Sequence, residues 1–215
     1  MQTNNSKTLI CFAVDHEAGP FRRHARAFPE VRIIVTGMGI QNARSGLVSA
    51  LQGNSFSAVI TSGFAGGLNP ALPLGAVVFD ADAGFTLIGS LKAAGAIPGR
   101  FLCAERVMAT AGEKKRAWAA THLDAVEMES GVIRELCRGR GIPSATVRVI
   151  SDVADQDLPI DFNRFMTPDQ RIDYVRLVWA LARSPAKVPR LLRFAGESRA
   201  ATRQLAKVLA RALSA

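Results

Sequence analysis

Apolar and polar positions along the chain follow two different periods. Continuous apolar runs of strand length occur at Thr8–Val14, Val31–Thr36, Ala58–Ser62, Gly75–Asp80 and Ala145–Ile150, with a shorter one at Phe101–Cys103. Runs apolar on both faces are what central strands of a covered sheet look like. Between them lie stretches with helical spacing: residues 18–30, 41–51, 110–120 and 162–182, the last with Trp179 and Leu181 as packing residues. The clearest unit runs from Asp124 to Asp155. A short apolar run leads into Glu127, Met128 and Glu129. Val132, Ile133, Leu136 and Cys137 then recur on one helical face, Gly139, Gly141 and Pro143 stop the helix, and a β-branched strand ends at Ser151-Asp152. Strand, helix and strand in about thirty residues predict a βαβ unit with parallel strands.

Strands alternating with helices predict a three-layer α/β/α fold around a mostly parallel sheet. Such sheets bind ligands at the carboxyl ends of their strands, where this chain places Glu129 and Asp152. The segment 84–100, rich in glycine and carrying Pro98, reads as an irregular connection.

Composition narrows the picture. With 215 residues, 48% of them hydrophobic, the chain suffices for one full-sized core. No window is long and apolar enough to span a bilayer, and the polar start MQTNNSK is no secretory signal. Cys11, Cys103 and Cys137 lie in apolar runs without paired spacing, so they read as core residues of a reducing cytoplasm and not as disulfides or metal ligands. The net charge of +9 is uneven: from Leu181 onward eight Lys/Arg face a single acid, Glu197. Pro185 and Pro189 mark a joint, which divides the chain into a main domain at 1–183 and a basic amphipathic helical tail at 184–215. Two readings of the tail stand side by side, a helix packed on its own domain and a peripheral contact with anionic membrane. Its arginines and lysines are not interleaved with aromatics, so no specific nucleic-acid reader is expected.

The motifs VEMES (126–130) and VRVISDVAD (147–155), in this order with a helix between, resemble the nucleoside phosphorylase and nucleosidase superfamily. The nearest branch by these residues is the methylthioadenosine/S-adenosylhomocysteine nucleosidases. VITSGFAGGL at 59–68 and the turn Gly37-Met38-Gly39 agree with it, and the likeness spans roughly residues 8 to 165.

The resemblance implies cleavage of a purine N-glycosidic bond and assigns roles. Breaking that bond builds positive charge on the ribose and negative charge on the base. The reaction therefore needs a leaving-group acid, a grip on the sugar and a positioned nucleophile. Asp152 matches the acid that protonates the purine; on position alone it would be a cap. Ser151 and Arg148 match residues that orient that acid, although Arg148 also reads as a strand residue paired with a carboxylate. Glu129 matches the ribose-binding glutamate and Met128 the residue against the sugar face, with core filling as its plain alternative. Glu127 is either a neighbour of Glu129 or a structural ion-pair partner. Glu17 matches the glutamate that activates water in nucleosidases, against a solvated loop carboxylate. Phe64, Ala65 and Gly66 in the glycine-rich turn, and Val107 at the position of a purine-stacking aromatic, complete the expected binding set.

No metal and no cofactor are implied, apart from phosphate as co-substrate if the chemistry is phosphorolysis. Thr61, where a phosphorylase carries a phosphate-binding Arg, and Phe64, where the family has Ser, weigh toward hydrolysis. Arg22 and Arg23 offer an alternative phosphate site. Only nineteen residues separate Glu17 from Gly37, where the family inserts a hairpin. That shortening implies an open pocket at the ribose 5′ position. With the basic tail, it makes the chain similar to short hopanoid-associated members proposed to act on a lipid-linked adenosine. The family also implies a homo-oligomer.

Overall fold

The computed structural model describes residues 7–170, 173, 175–177, 179, 183, 186 and 188–214. Strands β1 (Thr8–Phe12), β2 (Val31–Val35), β3 (Ala58–Gly67), β4 (Val77–Ala81), β5 (Ile97–Pro98), β6 (Phe101–Cys103), β7 (Ala125–Glu127) and β8 (Ser144–Asp152) form one sheet. Its main path runs β2-β1-β3-β8-β4-β5, and β7 and β6 continue from the end of β3. The helices are α1 (Asp15–Ala25), α2 (Gly39–Leu51), α3 (Ile88–Ala93), α4 (Ala111–Thr121), α5 (Ser130–Arg138) and α6 (Val188–Leu213).

Period-2 alternation explains the layers. In β1, Ile10 and Phe12 face a core shared with Phe21 of α1, Leu91 of α3 and Leu205 and Leu209 of α6. Leu9 and Cys11 face the other way, toward Ala43 and Leu47 of α2 and Val132, Ile133 and Cys137 of α5. The three-layer expectation is met. The sheet is mixed: β4 runs antiparallel to β8, and β7 antiparallel to β3.

That last pairing corrects the expected parallel βαβ unit. β3 continues to Gly67, beyond the predicted Ser62, and its final residues pair Gly66 with Val126 and Gly67 with Ala125. Since β8 is parallel to β3, β7 cannot be parallel to β8. The 84–100 connection is also more ordered than expected, holding α3 and β5. The helix predicted over 162–182 is instead a 3₁₀ turn at Phe162–Phe165, non-helical backbone through Gln170 and helical residues at 175–177. Trp179 is 62% exposed, so it is no packing residue, and Leu181 lies outside the described residues.

The basic tail is built into the domain. Ala201, Leu205, Ala206, Val208, Leu209 and Ala212 of α6 are buried in the same core as β1, β3 and β8, while Arg190, Arg193, Arg199, Arg203, Lys207 and Arg211 are exposed. Of the two readings of the tail, packing on its own domain is the observed one, and the joint near 184 separates no second core. Among the described residues, no helix is long and apolar enough to cross a membrane.

Candidate active site

The carboxyl ends of β1, β3 and β8 open onto a cavity of about 920 Å³. Every residue of the expected catalytic and binding set lines it: Glu17, Phe64, Ala65, Gly66, Val107, Met128, Glu129, Arg148, Ser151 and Asp152. Glu127 lines it as well.

Glu17 sits in the first turn of α1 and is buried, contrary to the solvated-loop alternative. Its Oε2 accepts from the N–H groups of Ala13 (3.1 Å) and Val14 (3.2 Å), and its Oε1 from Phe64 N–H (2.8 Å). Burial pushes its pKa above the usual carboxylate value, against the opposing pull of Arg148 and of those three N–H groups. The approach of β3 to this carboxylate requires Gly63, at φ 143°. A Cβ there would stand 2.5 Å from Glu17 Oε1 and 2.8 Å from Arg148 Nη1.

Arg148 is fully buried, on the face of β8 opposite Val147 and Val149. Its Nη2 donates to Glu127 Oε2 (2.6 Å), Glu129 Oε2 (3.1 Å) and Thr61 Oγ1 (3.0 Å). Burial alone would favour losing its proton. The carboxylates of Glu127, Glu129 and Glu17 outweigh that and hold the guanidinium more firmly charged than usual. Arg148 therefore serves the glutamates and makes no contact with Asp152, which corrects the expectation that it orients Asp152. Glu127 takes the structural alternative, an ion-pair partner that also accepts from Glu129 N–H, Ser130 N–H and the Ser130 hydroxyl.

Glu129 follows β7, and its Oε1 accepts from Gly39 N–H at 2.8 Å. Burial pushes its pKa up to about 7, with Arg148 pulling down and Glu127 adding to the rise. A carboxyl poised near neutrality inside a cavity is what functional sites accumulate.

Asp152 ends β8 with both oxygens engaged. Oδ1 accepts from Ser151 Oγ at 2.7 Å, as the sequence implied, while Oδ2 is paired with Lys114 Nζ. Lys114 escaped the sequence reading because it stands in a Lys-Lys-Arg run that looks solvated. Lys115 and Arg116 are indeed exposed, whereas Lys114 is 0% exposed.

The rest of the wall was also missed. Leu191, Phe194, Ala195 and Ser198 of α6 join Leu158, Phe162 and Met166 to line the cavity. They cover it with a largely apolar surface, so the shortened 18–36 stretch does not leave it unwalled. Val107 is clamped by Asn163, which accepts from its N–H (3.0 Å) and donates to its carbonyl (2.9 Å). Of the arginines suggested for phosphate, Arg22 is exposed and paired with Asp15 at 2.7 Å, Arg23 is exposed, and neither lines the cavity.

The molecule is thus a mixed, mostly parallel α/β sheet whose strand ends gather acids around a cavity. Residues 80–183 match the family model described as the Phosphorylase superfamily. The fold of this chain is shared with the 5′-methylthioadenosine/S-adenosylhomocysteine nucleosidase from Neisseria meningitidis, solved with methylthio-immucillin-A. That pair has a TM-score of 0.70 at 19% identity, over 96% of this chain and 98% of that one. The futalosine hydrolase of Helicobacter pylori strain 26695 matches with a TM-score of 0.68 at 16% identity, over 97% of each chain. A Helicobacter pylori nucleosidase variant with 5′-methylthioadenosine in its active site gives 0.61 at 19% identity, over 74% of this chain and 91% of that one.

Proposed function

We propose that the protein hydrolyses the N-glycosidic bond of a purine nucleoside. Asp152 is the leaving-group acid, Glu129 accepts from the ribose hydroxyls, and Glu17 activates water. Met128 and Val107 pack on sugar and base. The observation that carries the reading is Glu17, a buried carboxylate with a raised pKa that three backbone N–H groups hold against the cavity. A base must sit within reach of the water it deprotonates, and a raised pKa makes it a stronger proton acceptor. The relatives solved with nucleoside-like ligands support the choice of a 5′-substituted adenosine.

Phosphorolysis is the weaker reading on electrostatic grounds. A phosphate at the nucleophile position would face Glu17, Glu127 and Glu129, and the one cation among them is already committed to carboxylates and Thr61. Arg106, also on the cavity wall, is paired with Glu113 at 2.5 Å. The test is incubation with adenosine, methylthioadenosine and a 5′-alkyl adenosine, with and without phosphate. Free adenine and free sugar at a phosphate-independent rate are expected. A sugar 1-phosphate, with a rate that saturates in phosphate, would overturn hydrolysis.

The largely apolar wall from Leu158, Phe162, Met166, Leu191 and Phe194 supports an apolar 5′ substituent, with a lipid-linked adenosine at the far end of that series. Exposed Trp179 and Leu192 (62% and 67%), beside the exposed arginines at 183, 190 and 193, support contact with an anionic membrane. Sedimentation with phosphatidylserine vesicles should then show binding that weakens as salt rises.

A further inference from the structure

Asp152 has no free oxygen: one accepts from Ser151 and the other faces Lys114. Lys114 lies behind it, outside the cavity wall and with its side chain wholly buried. Its Nζ has three acceptors, the Asp152 carboxylate and the carbonyls of Val153 and Gln156, both at 2.9 Å. An ammonium has three N–H bonds to give, whereas a neutral amine has two and a lone pair. A buried nitrogen ringed by three acceptors is therefore built to hold the charged form, since a lone pair aimed at an oxygen would leave that oxygen unsatisfied. The proton of the pair then rests on lysine, and the group facing the cavity is a carboxylate. A carboxylate has no proton to give to a departing base.

We propose that Lys114 stores the proton that Asp152 hands to the leaving purine. The proposal rests on the reading of the cavity as a nucleoside-cleaving site. As the glycosidic C–N bond breaks, its electron pair goes to the purine. A ring nitrogen takes a proton from Asp152, and Asp152 takes one from Lys114 Nζ, which becomes a neutral amine. The water oxygen bonds the anomeric carbon and its proton goes to Glu17. After release, Glu17 loses that proton to solvent and Lys114 regains one through Asp152, so nucleoside and water give base and sugar. Lys114 touches no substrate and acts through Asp152. Its fixed place comes from α4, whose N-cap Thr110 accepts from Glu113 N–H at 3.2 Å, and from the 153–156 backbone.

The test compares wild type, Lys114→Met and Lys114→Arg on adenosine or methylthioadenosine and on 4-nitrophenyl β-D-ribofuranoside. The nitrophenolate departs without needing a proton. Wild type is expected to cleave both kinds of riboside. Both variants should lose roughly 10²–10⁴-fold in kcat on the nucleoside and stay within about threefold on the nitrophenyl riboside. Arginine is the sharper variant, because a guanidinium keeps the charge but does not give up its proton.

Near wild-type nucleoside cleavage by Lys114→Arg would show that fixed charge suffices and overturn the proposal. So would parallel losses on both substrates in a variant that melts like wild type, which would make the role structural. If neither variant folds, ¹⁵N-lysine NMR of the wild type decides. A buried ammonium signal that Asp152→Asn displaces is expected, and a neutral amine would overturn the storage role. Wild-type protein that cleaves neither riboside would remove the glycosidic reading itself and this proposal with it.

Discussion

Two centres of buried charge share the cavity, and they differ in how many carboxylates each cation serves. Around Arg148, Glu127 and Glu129 are bound directly and Glu17 lies near enough to feel the guanidinium. At the other end, Asp152 has Lys114 to itself. Burial in a low-dielectric site favours keeping protons on, and the Arg148 centre shows it: burial raises Glu129 to about 7, with Glu127 adding to the rise, and raises Glu17 against the pull of Arg148. At the other end the pairing is one cation to one carboxylate. One cavity thus holds carboxyls that take up protons more readily than usual beside a carboxylate with a cation at its back. The proposed reaction needs this division, a base on one side of the sugar and an acid on the other.

Breaking the crowded centre should have the largest effect. Arg148→Met leaves Glu127 and Glu129 buried without their cation, and removing one partner of a buried pair costs roughly 3–5 kcal/mol. Urea unfolding should show that loss at pH 7.5 and a smaller one at pH 5, where Glu129 keeps its proton. An equal loss at both pH values would mean that packing around Arg148, and not its charge, matters.

Breaking the one-to-one centre should show above all in turnover. Asp152→Asn keeps the shape and the acceptance from Ser151 but cannot relay a proton, so kcat should fall by about 10²–10⁴-fold with little change in KM. Wild-type kcat in that variant would remove Asp152 from the acid role.

Glu129→Gln sharpens the comparison in two ways. An amide accepts less well from two hydroxyls, and hydrogen bonds to charged groups contribute about 1.5–3 kcal/mol. Discrimination between ribo- and 2′-deoxyribonucleosides should therefore shrink by that order. The second effect is on pH. Folded, Glu129 keeps its proton up to about pH 7, whereas its ordinary value is 4.5. Between those values the folded state binds more protons than the unfolded chain, so stability should fall as pH rises through the window and level off above it. Thermal melts from pH 4.5 to 7.5 should show this decline, with a shallower slope in Glu129→Gln. A steeper slope in the variant would contradict the raised value.

The smallest effect is expected from the surface. The Arg22–Asp15 pair is exposed, and such pairs contribute roughly 0–1 kcal/mol. Arg22→Ala with Arg23→Ala should leave kcat/KM within about twofold, with or without phosphate. A loss seen only in phosphate would revive the alternative phosphate site.

Much of the Arg148 centre was legible because its members lie at strand ends. Alternation along β8 fixes which face Arg148 occupies, and an acidic residue closing an apolar run points to the rim. Glu17 was legible as a position but not as an environment. Its burial depends on Gly63 letting β3 come close and on the Ala13, Val14 and Phe64 amides converging on it. Lys114 was not legible at all, since nothing in GEKKRAW distinguishes the buried lysine from its exposed neighbours.

By itself the sequence determined the layered α/β fold, the rim of acids and the amphipathic period of the last helix, because each depends on residues close together in the chain. Tertiary structure decided the direction of β7, since pairing with the extended end of β3 outweighs the local strand-helix-strand pattern. It decided that the basic helix is core and cavity wall, because an apolar stripe specifies burial without specifying a partner. It also decided which cation serves which carboxylate, a matter of Coulomb contact and desolvation between residues tens of positions apart.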